Sequence, residues 1–336
     1  MTEEVSGKMK RKTPSPPLVH YCLAPQLSFR ILSAIKAQAK IADREITIPL
    51  DHLQLLMYFA EPRSIAEVHA MLHAVASMQE LTSLTFSFLS RGLLVEATAP
   101  SAAPSLLDSF DEKYQKPELW RAISDKLAAG HCVILRDAMA PAFAEKMFRC
   151  LDEFDGWRPN EDYQQPTFAF RQHNILGKNL FPPDLTECDR IFASAATKAF
   201  MESVSRRDCR GETTFSATRF LPGDLQLPHN DCNGMRNVTF VWHLAKNWEP
   251  KWGGSFYWCS SLTNLPPSFN TLVLFNVSPQ SVHLVTAVSP YATGKRLAIH
   301  GWWDASGPEN VGKDLKDLPA ITSEPPSALP PHILIA

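Results

Sequence analysis

Residues 227–234 read L-P-H-N-D-C-N-G and place a histidine and an aspartate two positions apart, His229 and Asp231. Side chains alternate across an extended strand, so two residues at this spacing point the same way. An imidazole and a carboxylate that converge on one point are suitable ligands for a metal ion. The stretch therefore predicts two ligands of a metal site on a β-strand.

A third ligand is expected from a distant strand, and His283, which follows the apolar run T-L-V-L-F-N-V, is the natural candidate. Two histidines and one carboxylate form the facial triad suited to non-heme Fe(II), which leaves three coordination positions open, whereas structural zinc closes its shell. Arg296 begins R-L-A-I-H-G-W-W, and an arginine that faces a barrel interior can bind a carboxylate with its planar fork. Fe(II) together with a buried arginine indicates 2-oxoglutarate.

The chain around these residues predicts a β-rich domain. From about Thr213, short runs of β-branched and aromatic residues alternate with Gly, Pro and Asn turns, which is typical of an all-β sandwich or barrel. The runs are T-T-F-S-A-T-R-F, N-V-T-F-V-W-H-L, G-S-F-Y-W, T-L-V-L-F-N-V and R-L-A-I-H-G-W-W. Earlier segments add helices, the first beginning at Pro117 and ending at Gly130.

An ordered set of motifs carries a resemblance to a known family. H-x-D at His229, W-G-G-S-F from Trp252, F-N-V-S-P-Q-S-V-H and R-L-A-I-H-G-W-W occur in this order between about residues 215 and 303. The set resembles the prolyl-hydroxylase-like group of Fe(II)/2-oxoglutarate-dependent oxygenases. The resemblance implies an α+β domain built on a double-stranded β-helix, a jelly-roll barrel, with Fe(II), 2-oxoglutarate and O2 as cofactors and cosubstrates.

The resemblance also implies roles for individual residues. His229, Asp231 and His283 match the iron ligands, and Arg296 matches the anchor of the cosubstrate carboxylate. Phe220 stands where many relatives have a tyrosine, so it can line the pocket but cannot donate a hydrogen bond.

Three further residues are assigned to the cosubstrate pocket, one of them at a second departure from the family pattern. His243 stands where prolyl hydroxylases often have a tyrosine and is expected to bond the distal carboxylate. Thr239 shares a strand face with His243. Trp302 lies on the same face of its strand as Arg296 and is expected near the iron. Halogenases of this superfamily lack the acidic ligand, so Asp231 favours hydroxylation.

The polar run R-Q-H-N is predicted to face the substrate, through Arg171, His173 and Asn174. Each of these side chains also has a structural interpretation. A single histidine on a strand is more often a packing residue than a ligand, and His243 fits either role. Arg296 alone could be an ordinary ion-pair partner, so the metal and cosubstrate interpretation depends on the joint spacing of the motifs.

Two other features resemble functional sites but do not support one. His69 and His73 are four residues apart on a predicted helix, yet Ala70 stands where a zinc protease has its glutamate. Cys232, beside the triad, fits a packed thiol better than a ligand.

The N-terminal part predicts a small winged-helix-like module over residues 21–98. Asp51 is expected to cap one helix, Ser64 has capping-box spacing to Glu67 before a second, and a third is expected from Thr82 to Arg91, followed by a strand in L-L-V-E. The pattern is similar to PqqD-like modules, which capture a leader peptide by strand addition. An accessory domain that only packs or dimerises is the alternative.

The predicted domain plan has five parts. A disordered tail covers residues 1–20, the winged-helix-like module 21–98, a linker 99–114, the oxygenase domain 115–305 and a Pro-rich C-terminal tail 306–336.

Composition excludes several classes of partner. The chain of 336 residues has a net charge of −2, and residues 46–96 hold two basic against five acidic side chains, so no nucleic-acid or membrane partner is expected. Seven scattered cysteines without a C-x-x-C pair indicate a cytoplasmic, reducing location. The sequence does not predict an oligomeric state.

The sequence thus predicts an Fe(II)/2-oxoglutarate-dependent hydroxylase that acts on an unactivated C–H bond of a peptide or protein side chain, possibly on a leader-guided natural-product precursor. A hydroxylase of a free amino acid or small metabolite is the first alternative. A non-catalytic peptide-binding or sensor protein that retains the barrel is the second.

Overall fold

The structure is a computed structural model and describes residues 19–41, 43–60, 62–72, 75–97, 105–165, 168–315, 326 and 328–336. His73 of the predicted helical pair and most of the predicted N-terminal tail lie outside these residues. The chain divides into two compact units, residues 1–102 and 103–336.

The N-terminal unit is a mixed α/β unit. In chain order it contains β1 (His20–Leu23), β2 (Ser28–Ser33), β3 (Lys36–Ile41), β4 (Arg44–Pro49), α1 (Leu50–Met57), α2 (Ile65–Leu72), α3 (Met78–Ser90) and β5 (Leu94–Ala97). Strands β2, β3 and β4 form an antiparallel sheet, and β1 pairs with β5. The apolar side chains of β3 and β4, such as Ala37, Ala39 and Ile48, alternate into the core, so one face of the sheet is buried.

The first residues of the helices in this unit show which capping signals in the sequence predicted a helix start correctly. The capping box of Ser64 and Glu67 is confirmed, because each residue bonds the backbone N–H of the other. Asp51 does not cap α1, which begins one residue earlier behind Pro49, so that prediction is wrong. Helix α3 begins at Met78 instead of Thr82, because Ser77 and Glu80 form a second capping box.

The C-terminal unit contains the larger sheet and the remaining helices. In chain order it contains α4 (Leu106–Ser109), α5 (Pro117–Ala128), β6 (Val133–Arg136), α6 (Pro141–Asp152), β7 (Arg158–Gln165), β8 (Phe168–Asn174), α7 (Pro183–Ala193), α8 (Ala195–Ser205), β9 (Thr213–Phe220), β10 (Leu225–His229), β11 (Arg236–Leu244), β12 (Phe256–Trp258), β13 (Thr263–Leu265), β14 (Phe269–Asn276), β15 (His283–Val285), β16 (Arg296–Asp304) and β17 (Ile333–Ile335). Among the described residues no helix is both long and apolar enough to cross a bilayer.

The strand order shows how the sheet curls around a cavity. The order is β13-β12-β15-β10-β8-β9-β16-β11-β14-β6-β17, with β7 paired to β8. All of the pairings between these strands are antiparallel, and β8 joins β10 to β9. Strands far apart in sequence therefore face one another across the interior. The curled sheet confirms the predicted double-stranded β-helix of an α+β protein.

Two predicted boundaries of this unit change. The second half of the predicted linker forms α4, and its apolar residues Leu106, Phe110 and Tyr114 are buried in the core. The end of the predicted C-terminal tail forms β17, which pairs with β6 and buries Ile333. The linker was predicted from a run of small and polar residues and the tail from its prolines, but apolar residues within both segments pack against the domain.

Candidate active site

The three predicted metal ligands lie together at one end of the cavity. One ligand atom from each of His229, Asp231 and His283 lies within 4.8 Å of the other two. His229 ends β10 and His283 begins β15, and the two residues are paired across these antiparallel strands. Strand pairing therefore brings together two histidines that are far apart in sequence.

Asp231 reaches the site through a turn and not through strand alternation. Strand β10 ends at His229, and Asp231 has a left-handed backbone with φ of 62°. That conformation costs an L-residue about 1–2 kcal/mol, although aspartate tolerates it better than most. The turn brings Asp231 Oδ1 to 3.5 Å from His229 Nε2 and Oδ2 to 3.7 Å from His283 Nε2.

Backbone carbonyls orient both imidazoles. His229 Nδ1 lies 2.9 Å from the carbonyl of Leu227, and His283 Nδ1 lies 2.8 Å from that of Ser281. Since a carbonyl only accepts, each Nδ1 carries the proton and each Nε2 keeps its lone pair toward Asp231. Burial lowers the pKa of His283, which keeps it in the neutral form that a metal requires.

Two donors hold the Asp231 carboxylate. Thr239 Oγ1 and Trp302 Nε1 donate to Asp231 Oδ2 at 3.1 and 3.0 Å. Burial raises the pKa of Asp231, but the two neighbouring histidines, Trp302 and Arg236 together hold it below its usual value. The site is therefore a buried carboxylate beside two imidazoles whose Nε2 atoms face it, a ligand set that fits Fe(II).

Arg296 lies at the other end of the cavity. Its side chain is buried, with 2% of the residue exposed, and its Nε donates to the carbonyl of Gly254. The guanidinium lies 4.1 Å from the centre of the Phe220 ring. Burial lowers the pKa of Arg296 to about 9, so it stays charged near neutral pH. No carboxylate among the described residues pairs with it, and a buried cation of this kind suits an anionic ligand.

The W-G-G motif shapes the wall behind Arg296. Gly253 and Gly254 have φ of 66° and 65°, a region that favours glycine. A Cβ on Gly253 would lie 2.2 Å from the carbonyl oxygen of Ala287, and one on Gly254 would lie 3.0 Å from Arg296 Cδ. Gly253 therefore allows the close approach to the Ala287 carbonyl, and Gly254 allows the close approach to Arg296.

His243 lies on the same face of β11 as Thr239 and Val241 and is paired across the strands with Ala298. It is fully buried, and neither ring nitrogen has a hydrogen-bond partner among the described residues. Burial, and then the charge of Arg296, lower its pKa to about 3, so the ring is neutral. Of the residues assigned to the cosubstrate pocket, Phe220 and His243 thus lie toward Arg296, whereas Thr239 and Trp302 contact the metal ligand Asp231.

The predicted substrate residues divide between two faces of β8. Asn174 lines the cavity and donates to Ser216 Oγ at 2.7 Å. Arg171 and His173 do not line it and contact Asp224 instead, His173 at 2.9 Å and Arg171 at 3.4 Å. Because side chains alternate along a strand, residues 172 and 174 share one face and residues 171 and 173 the other.

Sequence analysis missed several residues of the cavity. His300 faces it from β16 between Arg296 and Trp302, and their shared even numbering was the signal that could have identified it. Arg236 stacks on Trp302, with Cζ 3.6 Å from the ring centre. Gln172 contributes a carboxamide from β8.

The cavity has a volume of about 930 Å3. The order of the residues along the inner face of the sheet defines its two ends. On β16, Trp302 lies beside Thr239 at the metal end, and His300 lies beside Val241. Arg296, the first residue of the strand, lies beside Phe220. We call the two extremes the metal end and the arginine end. An elongated dianion bound through both ends fits this arrangement.

Comparison with known proteins agrees with the ligand set. Residues 215–304 match the sequence model of a family described as the 2OG-Fe(II) oxygenase superfamily. Prolyl 3-hydroxylase OGFOD1 of Mus musculus is 28% identical over 212 residues, which are 60% of this chain and 36% of the mouse protein. The Xenopus laevis protein of the same name is 27% identical over 146 residues, 40% of this chain and 27% of that protein. The chain thus spans about a third of the length of the curated relatives it matches.

A solved structure also resembles this chain. It is a prolyl hydroxylase from Trichoplax adhaerens in complex with a hypoxia inducible factor oxygen degradation domain peptide fragment. It is 16% identical, has a TM-score of 0.45, and the match covers 57% of this chain and 92% of that one. Residues 215–304, which match the 2OG-Fe(II) oxygenase model, hold the three ligands and Arg296. This class of dioxygenases uses Fe(II), 2-oxoglutarate and O2.

Proposed function

We propose that the protein is an Fe(II)/2-oxoglutarate-dependent hydroxylase that acts on a prolyl residue within a peptide or protein. The observation that carries the proposal is that one cavity holds both groups of residues. His229, Asp231 and His283 lie at its metal end, and Arg296 lies at its arginine end. The names of the two curated relatives support proline as the target residue.

Each end of the cavity has its own task. The Nε2 atoms of His229 and His283 and the carboxylate of Asp231 would hold Fe(II), and the Arg296 guanidinium would bind the distal carboxylate of 2-oxoglutarate. When bound, Fe(II) and 2-oxoglutarate would supply the chemistry by which O2 places one oxygen atom as a hydroxyl on an unactivated C–H bond and the other in succinate, with release of CO2. Phe220 and Val285 line the wall of the cavity and exclude water from Arg296.

The chemistry of the cavity wall supports a peptide over a free amino acid. The inner faces of β8 and β9 present uncharged polar groups, Asn174, Ser216 and Thr218. Carboxamides and hydroxyls suit the amide groups of a peptide, whereas a free amino acid has an ammonium and a carboxylate that would each need a charged partner. The cavity is also large enough for a peptide segment beside the cosubstrate.

The decisive test is anaerobic addition of Fe(II) and 2-oxoglutarate, followed by measurement of the visible charge-transfer absorption of the chelate. The wild-type protein should show the band and, in air with a proline-containing peptide, form succinate and hydroxyproline. His283→Ala should lose the band, whereas His131→Ala, which changes an exposed histidine, should keep it. A band without peptide-dependent succinate would favour a small-metabolite hydroxylase, and no band at all would favour a non-catalytic binding protein.

The N-terminal unit is proposed to hold the substrate peptide, as PqqD-like modules hold a leader. Strand β2 ends its three-stranded sheet, so one of its edges is not paired with another described strand. Ile31 and Leu32 of β2 and Ile35 of the turn that follows it have exposed apolar side chains. An extended peptide can add to such an edge through backbone hydrogen bonds, with specificity from side-chain contacts.

Deletion of residues 1–102 tests this tethering, because the buried cores lie within one unit or the other. Tethering predicts a KM for a long precursor peptide that is about 100-fold higher in the deleted protein. The KM for a short peptide and the peptide-independent turnover of 2-oxoglutarate should not change. Equal KM values for the long peptide in both proteins would show that the unit has another role.

A further inference from the structure

Three side chains form a row across neighbouring strands at the arginine end. Arg296 on β16 is paired with Phe220 on β9. Strand β8 pairs with β9 at His173 with Arg219 and at Asn174 with Thr218, so the same register places Gln172 beside Phe220. All three line the cavity, and we call them the anchor row. Side chains directly opposite each other on neighbouring strands are about 4.5–5.5 Å apart at Cβ.

Gln172 is a buried polar side chain that no described residue satisfies. Only 7% of the residue is exposed, and its carboxamide, which lines the cavity, has no hydrogen-bond partner among the described residues. The neighbouring carboxamide differs, because Asn174 donates to Ser216 and accepts from Asn160. Buried amides are normally hydrogen-bonded, so an amide that faces a cavity without a protein partner indicates a ligand.

The ligand at this position needs another donor. A carboxylate has about four acceptor sites, whereas an arginine that binds it in a bidentate pair supplies two hydrogen bonds. Acceptor sites therefore remain for a second donor. Arg296 already uses Nε on the carbonyl of Gly254, and the Phe220 ring beneath it has no hydroxyl to donate. The amide N–H groups of Gln172 are neutral donors on the other side of the same ring.

We propose that Gln172 donates a hydrogen bond from Nε2 to the distal carboxylate of 2-oxoglutarate held by Arg296, in place of the hydroxyl that Phe220 lacks. This assignment rests on the proposed function. It makes Gln172 a determinant of cosubstrate choice, because a 2-oxo acid without the distal carboxylate cannot use the bond.

The position of Gln172 argues against a role in substrate binding. The C–H bond to be oxidised must lie beside the metal ligands, near Trp302 and Thr239. Arg296 lies six residues before Trp302, at the opposite end of β16. Gln172 is in the row of Arg296, at the far end from the metal.

The test compares two oxo acids in the full-length protein under anaerobic conditions with Fe(II). The charge-transfer band gives the Kd of 2-oxoglutarate and of 2-oxobutanoate, which lacks the distal carboxylate. Gln172→Met, which keeps the size of the side chain, should weaken 2-oxoglutarate binding roughly 10- to 100-fold, as expected for a hydrogen bond to a charged group. The Kd of 2-oxobutanoate should not change.

Two further variants separate a direct contact from a packing effect. Gln54→Met replaces an exposed glutamine of α1 and should bind both acids as the wild type does. Adding Phe220→Tyr to Gln172→Met should restore much of the lost affinity, because the phenol returns a donor to the anchor row. Equal weakening of both acids, or a raised KM for the peptide with an unchanged Kd for 2-oxoglutarate, would overturn the assignment. Absence of the band in the wild type would contradict the proposed function and, with it, this inference.

Discussion

The two ends of the cavity differ in how their polar groups are satisfied. At the metal end, both imidazole Nδ1 atoms and the Asp231 carboxylate have protein partners. At the arginine end, neither the ring nitrogens of His243 nor the carboxamide of Gln172 has a hydrogen-bond partner among the described residues. The metal end is therefore held in a fixed geometry before it binds anything, whereas the arginine end has polar groups left for a ligand.

The largest expected effect comes from removing the charge at the arginine end. Arg296→Met should weaken 2-oxoglutarate binding by about 2–5 kcal/mol, because the dianion loses its buried cationic partner. Arg296→Lys should recover only part, since an ammonium lacks the planar fork. Fe(II) affinity, measured by titration without cosubstrate, should stay close to the wild-type value. A large loss of Fe(II) affinity would show that the two ends are not independent.

The matching change at the metal end is Trp302→Phe, which removes one hydrogen bond to Asp231 Oδ2. Loss of such a supporting partner should lower Fe(II) affinity about 10- to 100-fold. The Kd of 2-oxoglutarate, measured at saturating Fe(II), should change much less. Thr239→Val removes the other donor and should act in the same direction. Unchanged Fe(II) affinity in both variants would contradict a role for these donors.

A third prediction concerns the backbone behind Arg296. Gly254→Ala forces an L-residue into a left-handed conformation and should lower the free energy of unfolding by about 1–2 kcal/mol. Gly130→Ala is the matched control, because Gly130 has φ of 82° but open space around its Cβ position. Both variants should unfold more easily in urea, but only Gly254→Ala should also weaken 2-oxoglutarate binding. Equal cosubstrate affinity would mean that Arg296 adjusts to the new methyl group.

The smallest effect tests the unsatisfied groups directly. His243→Phe removes two buried nitrogens without partners and should stabilise the ligand-free protein by about 1 kcal/mol, while weakening 2-oxoglutarate binding. Burial lowers the pKa of His243 to about 3 in the folded state. An unfolded histidine takes up a proton below about pH 6.5, so the wild-type protein should lose stability from there toward pH 3. The variant should lose less, and urea unfolding between pH 4 and 7 measures the difference.

The sequence predicted the metal end well because its residues follow fixed spacings. His229 ends β10 and His283 begins β15, so strand pairing was enough to bring these two ligands together. Asp231 reached the same place by a different route, because a left-handed turn cannot be distinguished from a continuing strand by residue type alone.

Other parts of the molecule have weaker signals. The strands β1 to β4 were not predicted, since a run such as K-A-Q-A-K-I alternates alanine with polar residues and has only one β-branched side chain, at its end. The substrate face of β8 could be guessed only by residue type, and the guess included both faces of the strand. Gln172 was passed over because a glutamine beside charged neighbours gives no sign of burial in the sequence.

A crystal structure of the full-length protein with Mn(II) and 2-oxoglutarate, grown without O2, tests the central claim most directly. We predict Mn(II) on Nε2 of His229 and His283 and on the Asp231 carboxylate, with the distal carboxylate of 2-oxoglutarate on the Arg296 guanidinium. Mn(II) bound away from these ligands, or a cosubstrate carboxylate placed on Arg236 instead of Arg296, would contradict the account.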